Sequence, residues 1–130
     1  MIIKLDTTST TPIYVQLRNQ IVMGIGRGDL KLGEGLPTVR QMAEDIGVNT
    51  MTVNKTYTIL KQEGFIEIDR RQGAKVSPKA GTGQFREKVE DELTLLITET
   101  MLKGLSREEF MQMCNDAYGK LSPVYSGGMA

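Results

Sequence analysis

The sequence predicts an α+β protein that is mostly helical, and three observations carry that prediction. Apolar residues recur at intervals of three and four along five separate stretches, which is the spacing of one helix face. Two short β-prone stretches, residues 65–68 and 74–77, follow the third of these. A small-residue linker at 79–83 then separates a first domain, residues 1–78, from a helical tail at 84–130.

The N-terminal part of the chain is predicted to hold one helix between two irregular segments. Residues 1–10 favour an extended conformation. The helix runs from Thr11, as its cap, and Pro12 to about residues 23–25, because proline is tolerated at the first helical position. Its apolar stripe consists of Ile13 or Tyr14, Leu17, Ile21 and Ile25. The following glycine-rich loop has as its apolar anchors Leu30, Leu32 and Leu36.

Residues 36–64 are predicted to form two short helices joined by a tight turn. The first runs from about Thr38 to Asp45 and is followed by Gly47, because glycine accepts the positive φ that a helix C-terminus often needs. Asn49 begins the second helix as an N-cap. The predicted buried residues are Val39, Met42, Ala43 and Ile46 in the first helix and Val53, Thr56, Tyr57 and Leu60 in the second.

The opposite face of the second helix carries hydrogen-bonding groups and one cation but no carboxylate. Its residues are Thr50, Met51, Asn54, Lys55 and Thr58. Two helices joined in this way form a helix-turn-helix, whose second helix enters the DNA major groove with its N-terminal residues on base edges. The alternative is a solvated face on an ordinary helical hairpin, because helix pairs are common.

The segment after this helix pair favours DNA binding over that alternative. Residues 65–68 and 74–77 are the predicted strands of a hairpin, and Gly73 allows the turn between them. Arg70 and Arg71 lie side by side at the tip and repel each other unless an anion neutralises them. A hairpin with a basic tip directly after such a helix is a winged helix, so we expect at least one of these arginines to contact phosphate.

The tail is predicted to contain two amphipathic helices, residues 84–103 and 107–120, with Ser106 and Glu109 forming a capping box at the start of the second. Residues 122–130 are expected to fray. Because two helices are too few to enclose a core, their apolar faces must be buried against something else, either a second copy of the chain or the first domain. We favour the second copy, and the predicted dimer contacts are Phe85, Val89, Leu93, Leu96, Phe110 and Cys114.

The charges of the chain are unevenly distributed. Net charge is zero, yet residues 1–79 carry eleven Lys or Arg and eight Asp or Glu, a balance of +3, while residues 80–130 carry five and eight, a balance of −3.

The chain has no histidine, one cysteine and no metal-spaced ligand cluster, so we predict no enzyme, no metal site, no cofactor and no intrachain disulfide. Without a long apolar run or a secretory signal, we expect no membrane contact and a cytoplasmic location.

Three segments resemble the N-terminal domain of GntR-family bacterial transcription regulators: TPIYVQLRNQI, LPTVRQMAEDIGVN with the TV that follows it, and LKQEGFIEIDRRQGAKV. The resemblance covers about residues 10–78, and the short helical tail is similar to that of the YtrA-like branch. It implies a homodimeric winged-helix repressor that binds a palindromic operator in double-stranded DNA. It also suggests a neighbouring membrane-transporter operon and autoregulation.

The resemblance assigns DNA contacts by position. Arg40 matches a phosphate-contacting arginine, and Gln72 and Gly73 match a wing tip that enters the minor groove. Thr50 and Asn54 stand where many members have arginine. Because asparagine suits adenine and a threonine methyl suits thymine, the operator is predicted to be AT-rich at those positions. The predicted contact residues are Thr38, Arg40, Asn49, Thr50, Thr52, Asn54, Lys55, Arg70, Arg71, Gln72 and Gly73.

Each functional interpretation has a structural alternative. Arg40 could pair with Glu44 on its own helix, Lys55 could be an ordinary solvated lysine, and Thr52 could bond its own helix. Cys114 is interpreted as a small core or interface residue rather than a redox switch. The rival function is a winged-helix protein-interaction module, which would bind a protein partner without dependence on duplex DNA. The sequence carries no signal for or against a small-molecule effector.

Overall fold

The computed structural model describes residues 2–123. The chain divides into two compact units, Met1–Lys79 and Ala80–Ala130. The elements are α1 (Ile13–Arg27), α2 (Val39–Ile46), α3 (Thr50–Gln62), β1 (Ile66–Asp69), β2 (Gly73–Val76), α4 (Gly83–Leu102) and α5 (Arg107–Gly119). The predicted α+β, mostly helical class is confirmed. No helix in the described range is long and apolar enough to cross a membrane.

Helix α1 begins and ends later than the sequence predicted. Pro12, not Thr11, is the N-cap, because its ψ of 148° is not helical, and no side chain caps this end. The helix continues past Gly24 and is closed by Gly28, whose φ of 85° is left-handed. Gly24 is buried within the helix instead of ending it, and its carbonyl oxygen accepts the backbone N–H of Leu30 at 3.1 Å. The buried residues of the predicted stripe are Leu17, Ile21 and Ile25.

The segment before α1 is held in place by two glutamine side chains and forms no strand. The backbone N–H of Lys4 donates to Oε1 of Gln20 at 2.7 Å, and that of Asp6 donates to Oε1 of Gln16 at 2.8 Å. Residues 7–11 then turn into the helix. Residues 2–6 have no regular secondary structure, and the turn at residues 7–11 departs from the predicted extended conformation.

Helices α2 and α3 form the predicted helix-turn-helix. Thr38 caps α2 by accepting the backbone N–H of Gln41 at 3.1 Å, and Gly47 follows the helix with a φ of 72°. The Oδ1 atom of Asn49 accepts the N–H of Thr52 at 2.9 Å, which confirms the predicted cap of α3. Buried as predicted are Met42, Ala43, Val53, Thr56, Tyr57 and Leu60, whereas Val39 and Ile46 are half-buried.

Strands β1 and β2 form the predicted antiparallel hairpin, each shifted by one residue toward the tip. The register pairs Ile66 with Val76 and Asp69 with Gly73. At the tip, Oδ1 of Asp69 accepts the backbone N–H of Arg71 at 2.7 Å, and Gly73 has a φ of 76°, so pairing reaches further than expected. At the other end, the N–H of Phe65 donates to the carbonyl oxygen of Leu60 at 2.9 Å, and this bond closes the turn after α3.

Residues 33–36 run beside β2, a pairing the sequence did not predict. The N–H of Gly33 donates to the carbonyl of Val76 at 2.8 Å, and the N–H of Leu36 donates to that of Ala74 at 2.8 Å. The predicted anchors Leu30 and Leu36 are buried, but the prediction for Leu32 is wrong, because its side chain is 56% exposed. Leu32 lies in a turn that precedes the pairing, in which the N–H of Glu34 donates to the carbonyl oxygen of Lys31. The side chain of Leu32 therefore points away from the core.

The hydroxyl of Tyr57 ties α3 to the entrance of α2. Tyr57 is 3% exposed, and its hydroxyl donates to the carbonyl oxygen of Pro37 at 2.8 Å. Burial raises the pKa of Tyr57 from 10.0 to about 12, because the phenolate would lie in an apolar surrounding. This contact joins α3 to the residue that precedes the Thr38 cap of α2.

We expect the Tyr57→Phe variant to lose part of the alkaline pH dependence of stability. The unfolded chain releases the Tyr57 proton near pH 10, whereas the folded chain holds it to about pH 12. The unfolding free energy is therefore unaffected by this group below pH 10 and falls as pH rises from 10 to 12, by about 2–3 kcal/mol in total. Denaturant titrations across that range should show a shallower decline in Tyr57→Phe than in wild type. Tyr118→Phe, at a tyrosine that is 65% exposed, is the control and should decline as wild type does.

In the second unit, helices α4 and α5 are capped by side chains, but the described residues of these helices include no buried side chain. Thr82 caps α4 by accepting the N–H of Phe85 at 3.3 Å, and the predicted capping box of Ser106 and Glu109 starts α5. Both helices end one residue earlier than predicted, and Gly104, with a φ of 89°, follows α4. No described residue of either helix is buried. Most of the segment predicted to fray, 122–130, lies outside the described residues.

Candidate nucleic-acid interface

The outer face of α3, which we call the recognition helix, is exposed along its first two turns. The Asn49 cap orients this end by fixing the chain as it enters the helix. Met51 is 78% exposed although it is apolar. Thr52, whose backbone N–H is used by the cap, is half-buried. The exposed residues of this face are Thr50, Met51, Asn54, Lys55 and Thr58, none of them acidic.

A shallow cleft beside the recognition helix brings together four of the predicted contact residues. Its lining consists of Tyr14, Asn49, Met51, Thr52, Asn54 and Lys55. The Nζ atom of Lys55 lies 3.9 Å from the centroid of the Tyr14 ring. Tyr14 belongs to α1 and was not among the predicted contacts. Its only sequence signal is an aromatic hydroxyl at the edge of an otherwise aliphatic stripe.

Arg40 is exposed in the first turn of α2. In the described residues no ion pair joins it to Glu44, so the structural alternative for this arginine is not observed. A cation near a helix N-terminus is opposed by the helix dipole, which favours negative charge there. An anion bound at this end would relieve that opposition.

The wing tip is exposed and shaped by its own backbone. Asp69 holds the N–H of Arg71, and Gly73 supplies the left-handed conformation that closes the turn. Elsewhere in the first unit, carboxylates neutralise Arg18, through Glu63 at 2.9 Å, and Lys75. Within residues 2–123, no ion pair involves the cations predicted to contact DNA, which are Arg40, Lys55, Arg70 and Arg71. Their charge is thus available to an anionic partner.

Five of the six predicted dimer contacts line two depressions on the tail. A groove of about 740 Å³ between α4 and α5 is lined by Leu93, Phe110 and Cys114 among others. Phe85 and Val89 line a separate depression near the start of α4, and Leu96 lines neither. The side chains of Phe85, Leu93 and Leu96 are about half exposed, at 52%, 45% and 49%.

The part of the chain that the structure describes offers no group of three or more His, Cys, Asp or Glu residues able to hold a metal ion. The exposed face of the recognition helix and the wing tip offer hydrogen-bond donors, acceptors and the unpaired cations described above.

The sequence profile described as "Bacterial regulatory proteins, gntR family" matches residues 13–76, from the start of α1 to the end of β2. The HTH-type transcriptional repressor YtrA of Bacillus subtilis is 36% identical over 110 residues, which are 82% of this chain and 85% of YtrA. This chain belongs to the GntR family. Its winged helix-turn-helix is thereby confirmed as that of a family of DNA-binding transcription regulators.

Two further relatives extend the likeness of this GntR-family chain into the tail. The uncharacterized HTH-type transcriptional regulator YhcF of Bacillus subtilis is 34% identical over 109 residues, covering 80% of this chain and 88% of YhcF. The solved structure of YtrA from Sulfolobus acidocaldarius, a GntR-family transcription factor, is 36% identical with a TM-score of 0.64, covering 78% of this chain and 99% of that one. The predicted likeness to the YtrA branch is thus confirmed.

Proposed function

We propose that this protein is a homodimeric transcription repressor that binds a palindromic operator. Residues 1–78 would bind DNA, 79–83 would act as a linker, and 84–130 would hold two copies together. The observation that carries the proposal is the recognition helix, whose outer face is exposed, carries no carboxylate and begins at the Asn49 cap. The name of the Bacillus subtilis relative, a transcriptional repressor, supports the sign of regulation.

Base recognition is assigned to the first two turns of the recognition helix. Asn54 is exposed and suits bidentate hydrogen bonds to adenine, and the methyl group of Thr50 suits thymine. Asn49 lies at the start of the helix, the part of a recognition helix that meets base edges. We therefore propose an operator that is AT-rich at the positions these residues meet.

Backbone contact is assigned to the unpaired cations and small polar groups around that helix. Arg40, Lys55 and the arginines of the wing tip would neutralise phosphates, and Thr38 and Thr52 would donate hydroxyls. Gln72 and Gly73 at the tip would enter the minor groove. Such contacts release counterions, so a protein with six to ten of them loses about 10³–10⁵-fold in affinity between 50 and 200 mM salt.

Dimerisation is assigned to the tail. Neither α4 nor α5 has a buried residue, and their large apolar side chains remain exposed in the single chain. A second copy could cover those side chains with an identical surface, as twofold homodimers do. Two recognition helices would then meet half-sites about 34 Å apart, one turn of DNA, and the bound dimer would exclude RNA polymerase. The first DNA to examine is the promoter of the gene itself, where an inverted repeat would indicate autoregulation.

We expect Arg40→Ala and Lys55→Ala each to weaken operator binding. Each change removes one hydrogen-bonded phosphate contact worth about 0.5–1.5 kcal/mol, twice per dimer, which corresponds to roughly five- to 150-fold. Gel-shift titrations with a duplex selected from random-sequence DNA by the wild-type protein would measure the loss. Lys61→Ala, at the exposed C-terminal end of the same helix, is the matched control and should bind as wild type does. Wild-type affinity in both Arg40→Ala and Lys55→Ala would contradict the assignment.

A further inference from the structure

Lys55 of the recognition helix lies over an aromatic ring of a different helix. Its Nζ atom is 3.9 Å from the centroid of the Tyr14 ring, well inside the range of about 6 Å over which cations are attracted to aromatic faces. We propose that Tyr14 positions Lys55 for one phosphate of the operator backbone, and that the cleft between α1 and α3 is the seat of that phosphate. This inference rests on the proposed function, because it assigns one contact within the same surface.

The lining of the cleft fits a phosphodiester. Thr52 brings a hydroxyl group, Lys55 brings the positive charge, and the rest of the lining is uncharged. No carboxylate lines the cleft, so nothing in it repels an anion or neutralises the lysine. A lysine on a solvated surface loses rotamer freedom when it binds phosphate, and a side chain already held in place loses less.

Tyr14 is itself fixed relative to the recognition helix. The hydroxyl of Thr56, a fully buried side chain, donates to the backbone carbonyl of Tyr14 at 3.0 Å. Thr56 follows Lys55 directly, so the two ends of the cation–ring contact are tied together through the core. The backbone that carries the Tyr14 ring is therefore held in place relative to Lys55.

A second cation–ring contact in the same unit shows what a structural role looks like. The guanidinium of Arg18 lies 5.4 Å from the Phe65 ring centroid, but Glu63 also binds it through two hydrogen bonds of 2.9 and 3.2 Å. That arginine is neutralised and serves to fasten α1 to the end of α3. Within the described residues no carboxylate pairs with Lys55, which leaves its charge for a ligand.

The test is a double-mutant cycle of Tyr14→Leu and Lys55→Ala in the full-length protein. Affinity for the selected duplex is measured by fluorescence anisotropy over a series of salt concentrations. Tyr14→Leu removes one cation–ring contact from each of the two subunits and should weaken binding about five- to thirtyfold. For Lys55→Ala, which lacks two phosphate contacts per dimer, the slope of log affinity against log salt concentration should become shallower by about 1.8. The slope for Tyr14→Leu should shift toward that of Lys55→Ala. Tyr14→Phe keeps the ring and should bind close to wild type.

The cycle separates positioning from a general structural role. If Tyr14 acts through Lys55, adding Tyr14→Leu to Lys55→Ala should cause no further loss. An equal loss in both backgrounds with an unchanged salt slope would overturn the proposal. The ε-methylene protons of Lys55 in the free wild-type protein supply a second measurement that needs no variant. Ring-current shifts of these protons to high field would support the stacking, and their absence would overturn it. Failure of the wild-type protein to bind any duplex would instead refute the proposed function.

Discussion

Leu93→Asp is expected to convert the protein to a monomer and to reduce operator affinity by about 10²–10⁴-fold, the usual advantage of two linked binding units over one. Leu93 is 45% exposed on α4 and lines the groove between the tail helices. A carboxylate there would have to be buried in an apolar contact without a partner, which the dimer cannot tolerate. Analytical ultracentrifugation would report the mass, and anisotropy titration would report the affinity.

The control for this variant lies on the same helix. Leu95→Asp makes the same chemical change two residues later, about 200° around the helix axis from Leu93. Leu95 is 62% exposed, so the change is tolerated by the folded chain, and this variant should remain a dimer with wild-type affinity. A Leu93→Asp variant that stays dimeric, or a Leu95→Asp variant that becomes the monomer, would show that another face of the tail joins the copies.

Asn54→Ala is expected to remove the main sequence-specific contact of each recognition helix. A good bidentate contact to a base is worth about 1–3 kcal/mol, and a symmetric dimer loses two, so affinity should fall by about 30-fold to about 10⁴-fold. Binding to random-sequence DNA should change little, because that binding depends on backbone cations. Parallel titrations of the selected duplex and of random-sequence duplex would give the specificity ratio directly.

The direction of a specificity change tests the same assignment more sharply. Asn54→Arg should shift the preferred base at one operator position from adenine toward guanine, since arginine matches the two acceptors of guanine in the major groove. Thr58→Arg, one turn further along the same exposed face, is the control and should leave that preference unchanged. If Thr58→Arg changed the preferred base at that position and Asn54→Arg did not, the helix would dock in a different register.

The sequence predicts the helix-turn-helix well because local chemistry decides each of its boundaries. The caps by Thr38 and Asn49 and the left-handed Gly47 all act within a few residues of their helix ends. The buried stripe of α3 follows from spacing alone and includes the polar residue Thr56. Apolar spacing and one capping residue suffice here, since no distant segment competes for these groups.

Two contacts that the sequence did not predict depend on partners distant in the chain. The strand-like pairing of residues 33–36 needs β2, which lies some forty positions away, and a glycine-rich run gives no alternation to reveal it. Tyr14 reaches the interface only because α1 packs against α3. The tail is different again, since its helix ends are predicted within one residue, whereas the second copy that we propose to cover these helices does not follow from local spacing.

We propose that the outer face of the recognition helix meets DNA, and the methionine methyl groups of this chain test that contact most directly. The chain has eight methionines; Met51 lies on that face and is 78% exposed, whereas Met101, Met111 and Met113 lie on the tail. In carbon-13 methyl spectra recorded with the selected duplex, the account predicts a large shift of the Met51 resonance, assigned through Met51→Leu, with the tail resonances unchanged. An unmoved Met51 resonance beside shifted tail resonances would contradict it.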